Sequence, residues 1–162
     1  VHSFPGDWRV VLFHEDIYQG DFGESEQAIF DRCSKQHNPN RRWMLELIEQ
    51  QILPSVLGGD YHGACQGLGR YGELAGEIFR PAVGDSYRSA RIRFWVDRLR
   101  GLGFQGVGQS SWGPVVFAIA QDQQQAAWLV ETIGRELHRG GWTYVAKVAG
   151  PAMIESGLSG VG

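Results

Sequence analysis

The sequence predicts an α+β domain: an antiparallel sheet packed with helices, with a helical block between its first and second strands. Three observations carry this reading. Short runs of β-branched and aromatic residues stand near both ends of the chain, and two more flank a glycine-rich loop around residue 110. Between the first run and that loop, apolar residues recur at helical spacing. The two runs beside the loop return on one another as a hairpin, which argues against a doubly wound parallel sheet.

Taken in order, Trp8 to Phe13 (WRVVLF) follows the turn-forming Pro5-Gly6-Asp7 and reads as the first strand. Glu24 to Lys35 reads as a short amphipathic helix with Ala28, Ile29, Phe30 and Cys33 on one face. From Arg41 to Leu57 a second helix carries Met44, Leu47, Ile48, Ile52 and Leu53, with Asn40 as its N-cap and Gly58-Gly59 as its stop. Asp60 caps a third, running to about Arg80. Its interior glycines (Gly63, Gly67, Gly69, Gly72, Gly76) each cost about 1 kcal/mol against alanine, so some are expected to permit close helix packing. A fourth helix is expected from Ser86 to Leu102.

Phe104 to Gly108 and Val115 to Ala120 read as paired strands. Asp122 with Gln125 forms a capping-box variant, after which Ala126, Leu129, Val130, Ile133 and Leu137 mark a helix ended by Gly140-Gly141. Trp142 to Ala149 is the last strand, and the glycine-rich tail beyond Pro151 has little to bury. Strand, strand, helix, strand at the end is half of a ferredoxin-like sheet, with the first strand and the helical block supplying the rest.

Composition narrows the function. A chain of 162 residues, 43% of them hydrophobic, suits one domain with a core, expected at about residues 8–154 of the whole 1–162. A net charge of -3 disfavours a general nucleic-acid binder. The longest apolar run, Val115 to Ala120, is far short of the roughly 20 residues that span a bilayer, so no membrane partner is expected and a cytoplasmic location is. Cys33 and Cys65 lie in helical segments and are taken as reduced, buried thiols. The basic residues concentrate between Arg80 and Arg100, where only Asp85 and Asp97 oppose them in sequence.

The densest candidate site is Gly106, Gly108, Gln109, Ser110, Ser111, Trp112 and Gly113, between two strands. Glycines let a backbone come close to a ligand, and successive N–H groups in such a turn can cradle an anion such as phosphate. The alternative is a wide hairpin whose glycines serve turn geometry while Trp112 plugs the core. No histidine or acid nearby supplies a base for a serine nucleophile, so no catalytic residue is assigned. His14, Glu15 and Asp16 alternate in direction along an extended chain and read as solvent-facing polar residues, not metal ligands; no metal site is expected. Arg88, Arg91, Arg93, Arg98 and Arg100 could meet phosphate, although a solvated helix face with stems on apolar surface is the favoured reading. His2, His37, His62 and His138 stand singly.

The stretch GVGQSSWGPVVFAI, Gly106 to Ile119, resembles the third conserved motif of the GHMP kinase superfamily in the form found in β-ribofuranosylaminobenzene 5'-phosphate synthases. Gly20 to Phe30 (GDFGESEQAIF) resembles the segment after the first strand of that branch's C-terminal domain. The resemblance covers Trp8 to Ile154 and implies a C-terminal domain whose substrate-facing loop is the hairpin above, its residues positioning substrate. The implied reaction joins 4-aminobenzoate or 4-hydroxybenzoate to phosphoribosyl diphosphate with release of carbon dioxide and pyrophosphate, early in methanopterin biosynthesis.

The superfamily's N-terminal domain, with its own phosphate-binding loop, has no counterpart in these residues. Its site lies between the two domains, so the chain alone is expected to be inactive. Two other readings stay open: a domain of a small-molecule kinase using ATP, and a non-catalytic ligand-binding or dimerisation module. No cofactor is otherwise implied, magnesium accompanying phosphoribosyl diphosphate or ATP in a complete enzyme, and a homodimer is open.

Overall fold

The computed structural model describes residues 4–15, 31, 39–110, 113–137 and 140–147, with no side-chain description for 82 and 83. The expected helix at Glu24 to Lys35 apart from Asp31, the matched segment Gly20 to Phe30, Cys33 and the tail beyond Pro151 lie outside these residues.

The sheet has strands β1 (Arg9–His14), β2 (Val107–Gln109), β3 (Val116–Ala120) and β4 (Trp142–Lys147), in the order β2-β3-β1-β4. All three pairings are antiparallel. With helices between β1 and β2 and again between β3 and β4, this is the ferredoxin-like arrangement the sequence predicts. Register follows the buried face: Val11 lies opposite Ala118 and Val145, and Phe13 opposite Val116 and Thr143.

The helical block begins with α1 (Arg41–Leu47), continues through a π-helical turn (Ile48–Ile52) and resumes as α2 (Leu53–Gly58). The widened turn falls where Pro54 has no N–H to give four residues back and its ring crowds that carbonyl. Asn40 does not cap this helix with its side chain, contrary to expectation. Its backbone is already helical (φ -90°, ψ 0°), which takes the side chain out of reach of the next turn's amides. Helix α3 (Tyr61–Gly76) is capped as expected by Asp60, whose Oδ1 accepts from Gly63 N at 3.0 Å. It tightens into a 3₁₀ turn (Glu77–Phe79) and the short α4 (Arg80–Val83).

Helix α5 (Ala90–Gly101) starts later than the apolar pattern suggests, capped by Ser89, whose Oγ accepts from Ile92 N at 3.2 Å. The delay is local chemistry: Gly84 is left-handed (φ 80°), and Asp85 Oδ1 accepts from Tyr87 N at 3.1 Å in a turn of its own. After α5, left-handed Gly103 (φ 95°) turns the chain so that Phe104 N donates back to Leu99 O. Phe104 therefore plugs the core, and β2 begins at Val107. Helix α6 (Gln123–Glu136) is capped by Asp122 as expected; Gln125 Oε1 reaches Gln121 N, one residue before the cap.

Two apolar clusters sandwich the sheet. Val11, Phe13, Val116 and Ala118 pack under Trp95 and Leu99 of α5 and Leu129 and Ile133 of α6. On the other face Trp8 and Ile119 meet Ile52, Val56, Tyr61 and Cys65 of the helical block. The Tyr61 hydroxyl locks that second layer to the sheet by donating to Ile119 O at 2.7 Å. Among the described residues no helix is long and apolar enough to cross a membrane.

Glycines in α3 are contact points, as expected for some of them. A Cβ on Gly69 would lie 2.3 Å from the Gln105 carbonyl oxygen, and one on Gly76 2.2 Å from that of Ser86, whereas Gly72 faces open space.

Candidate functional site

The β2–β3 hairpin holds the loop singled out in sequence, and its glycines have identifiable jobs. Gly106 lies against α3: a Cβ there would sit 2.8 Å from Cys65 Sγ. Gly108 is opposite Phe117, whose ring would be 3.1 Å from a Cβ. Gln109 is the last residue of β2, and its side-chain Oε1 accepts from Arg88 N at 2.9 Å, fixing the segment that leads into α5. Ser110 is exposed. Ser111 and Trp112 lie outside the described residues.

The expected cradle of free amides is not formed by the described part of this loop. Val107 N donates to Gln105 O, Ser110 N to Val115 O and Gly113 N to Ser110 O, at 2.8 to 3.0 Å. The tight hairpin consumes these donors itself, so the polar groups this side of the loop can offer a ligand are side chains.

Beside the hairpin, between β1, β3 and the start of α5, a recess opens. Phe13, Ile92, Trp95, Pro114 and Val116 make its apolar walls. Its polar lining comes from Glu15, Arg88, Ser89 and Arg91. Glu15 is not the solvent-facing residue the sequence suggested: its side chain is 4% exposed. Arg91 Nε and Nη2 donate to its two oxygens at 2.5 and 2.7 Å, and Trp95 Nε1 donates to Oε2 at 2.8 Å. A carboxylate so deep is tolerated because a planar two-donor fork and an indole N–H replace water. In return the Glu15 carboxylate raises the pKa of the Arg91 guanidinium, which also lies 4.6 Å over the Phe94 ring. Phe13 and Trp95 meet edge to face at 5.1 Å.

Three more arginines of the basic stretch pair with acids, two of which are brought from other helices. Arg98 pairs with Glu136 of α6 at 2.6 Å, Arg100 with Glu73 of α3 at 2.8 Å, and Arg93 with Asp85. A solvated helix face is therefore an incomplete description; α5 is clamped to its neighbours by ion pairs. Arg70, Arg80, Arg93 and Arg100 also line a second, polar recess, where Glu73 and Glu77 offset them. Among the described residues no group of His, Cys, Asp or Glu is placed to hold a metal ion.

Sequence reasoning passed over Phe13, Glu15, Ile92 and Trp95 as site residues. One signal was available: Val11, Phe13 and Glu15 are two apart, so Glu15 continues the inward face of β1.

No family model matches the chain. It is 29% identical over 119 residues to a β-ribofuranosylphenol 5'-phosphate synthase of Archaeoglobus fulgidus, covering 72% of this chain and 34% of that protein. The Methanothermobacter thermautotrophicus enzyme of the same name is 21% identical over 122 residues, 75% of this chain and 36% of the other. The match spans about a third of the length of these relatives. Among solved structures, L. major mevalonate kinase in complex with R-mevalonate superposes with a TM-score of 0.65 at 15% identity, over 92% of this chain and 45% of its own. Mevalonate pyrophosphate decarboxylase from Streptococcus pyogenes gives 0.64 at 15% identity, over 91% and 47%. Homoserine kinase from Cytophaga hutchinsonii gives 0.57 at 14%, over 91% and 44%. The chain thus has the fold of the C-terminal domain of the GHMP kinase superfamily, and its sequence resembles that superfamily's β-ribofuranosylphenol 5'-phosphate synthases.

Proposed function

We propose that this chain is the C-terminal lobe of a phosphoribosyl-transferring enzyme of the β-ribofuranosylphenol 5'-phosphate synthase type. The reaction would join 4-hydroxybenzoate or 4-aminobenzoate to phosphoribosyl diphosphate, with loss of carbon dioxide and pyrophosphate, as an early step of methanopterin synthesis. The carrying observation is the apolar recess with its buried, clamped carboxylate beside the hairpin that bears the synthase-type sequence. Such a transfer needs a planar nucleophile held against an electron-poor sugar carbon, and binding groups for several phosphate charges.

In this reading Gly106, Gly108, Gln109, Ser110, Ser111, Trp112 and Gly113 form one wall of the donor site. The glycines keep the hairpin thin and close-packed, while the Gln109 and Ser110 side chains serve position and polarity. An N-terminal lobe with its own phosphate loop supplies the other wall, and magnesium arrives with the diphosphate. The chain alone has no turnover.

The test is pyrophosphate release from phosphoribosyl diphosphate and 4-hydroxybenzoate by the complete two-lobed enzyme. Gln109→Ala and Ser110→Ala should each lower kcat/KM by about tenfold, the worth of one hydrogen bond to a charged group. Full activity in both variants, or turnover by the chain alone, would overturn the reading. A response to ATP with magnesium and none to phosphoribosyl diphosphate would replace it with a small-molecule kinase.

A further inference from the structure

We infer that the recess between β1, β3 and α5 is the seat of the aromatic acceptor, and that Glu15 is a catalytic residue that takes the proton from the acceptor's para-hydroxyl group. This rests on the transferase reading above and goes beyond it by giving the acceptor a place, an orientation and a base.

The shape comes first. Phe13, Ile92, Trp95, Pro114 and Val116 offer walls with almost no hydrogen-bonding groups, the lining that an aromatic ring requires. A benzene ring is at home there; a sugar phosphate is not. Among the described residues that line the recess, Glu15 is the acid.

The orientation follows from the chemistry. The ring carbon that bonds to ribose also carries the carboxylate, which must shed its charge as carbon dioxide. Pairing that carboxylate with a guanidinium inside the recess would hold the charge where it is and oppose the step. The carboxylate end therefore points outward, toward the hairpin and the donor, and the para-hydroxyl end points inward, where Glu15 lies. Arg91 and Trp95 hold the Glu15 carboxylate in place from α5, so a proton acceptor waits at a fixed position in an apolar surround.

The step balances as follows. The carbon–carbon bond to the ribose C1 forms as the C1–O bond to pyrophosphate breaks, with the electron pair leaving on pyrophosphate. Electron density comes from the para oxygen, whose proton passes to Glu15. The bond to the carboxylate carbon then breaks, carbon dioxide departs, its electron pair restores the aromatic ring, and Glu15 returns the proton to the oxygen.

The test uses the complete enzyme and three ligands: 4-hydroxybenzoate, 4-methoxybenzoate and benzoate. The indole N–H of Trp95, which donates to Glu15, is the reporter in a ¹H–¹⁵N spectrum. 4-Hydroxybenzoate should shift that resonance and bind about tenfold or more tightly than the two ligands that lack the donor. Glu15→Gln should lower kcat with 4-hydroxybenzoate by about 10²-fold or more, leaving KM for phosphoribosyl diphosphate unchanged. A ring-fluorinated 4-hydroxybenzoate, whose hydroxyl ionises without help, should recover much of the loss, which a merely structural Glu15 would not allow.

The ligand series on the unaltered enzyme stands even where the Glu15→Gln variant does not fold. If the enzyme turns over while 4-hydroxybenzoate and benzoate bind alike and the Trp95 signal stays still, the seat is elsewhere and the inference falls while the transferase reading survives. If the unaltered enzyme releases no pyrophosphate with any of these acids, the reading beneath it falls as well.

Discussion

Replacing Gly69 and Gly72 in turn by alanine separates helix propensity from packing within one helix. Both residues lie in the interior of α3 (Tyr61–Gly76), so propensity alone favours either substitution by up to about 1 kcal/mol. At Gly72 a methyl group meets nothing within 4 Å, and the gain should be realised nearly in full. At Gly69 the same methyl would lie 2.3 Å from the Gln105 carbonyl oxygen, a backbone atom that no rotamer change can remove. Ordinary carbon–oxygen contacts begin near 3.3 Å, so α3 and the strand lead-in must part by about 1 Å. Overpacking of that kind costs about 1–3 kcal/mol.

The two variants should therefore differ by about 2 kcal/mol, Gly72→Ala above the parent and Gly69→Ala below it. For a chain of this size that is a separation of about 4–8 °C in thermal midpoint. Urea and thermal unfolding followed by circular dichroism measure it. Equal stability of the two variants would refute the claim that α3 is seated on Gln105, and with it the account of how Gly106 and β2 are placed.

Two further outcomes concern titration. Burial is the main cause that pushes the Cys65 thiol up from its ordinary 9.0 to about 11, so alkylation of Cys65, mapped by mass spectrometry, should be negligible at pH 8 in the folded chain and rapid in urea. Because the folded state keeps this proton longer than the unfolded one, its contribution to stability is whole below about pH 9 and is lost as pH rises toward about 11. An unfolding midpoint that does not move across that interval contradicts the assignment. At the other end, hydrogen bonds from Arg80, Arg93 and Arg98 hold Glu77, Asp85 and Glu136 below the usual carboxylate range. Their contribution is present above the ordinary carboxylate pKa of about 4 and fades as pH falls through it, so the thermal midpoint should drop on acidification, less steeply in high salt. A flat profile from neutral to strongly acid pH would show that these pairs carry no stability.

Local pattern made the elements readable. The continuous apolar run Val116 to Ala120 is what a strand covered on both faces requires, and Ala126, Leu129 and Ile133 repeat with the turn of α6 because that helix buries one stripe. Ends were less legible, because a cap is decided by a backbone angle. Asn40 has the right side chain in an already helical conformation, and the apolar pattern near Ser86 continues into a segment bent by Gly84 and Asp85. The glycine loop was found from its residue types, yet its amides could not be assigned beforehand, since whether they face a ligand or one another depends on hairpin closure.

What the amino-acid order alone determined is therefore the succession of strands and helices, their inward faces, and the place where a glycine-rich loop interrupts them, all of which follow from neighbours within a turn or a pleat. Tertiary structure decided the charges and the cavity. Glu15 lies 76 residues from Arg91 and 80 from Trp95, and no periodicity relates them. Only the closing of α5 over β1 excludes water from that carboxylate, and exclusion of water is what turns an unremarkable polar residue into a fixed, chemically useful one.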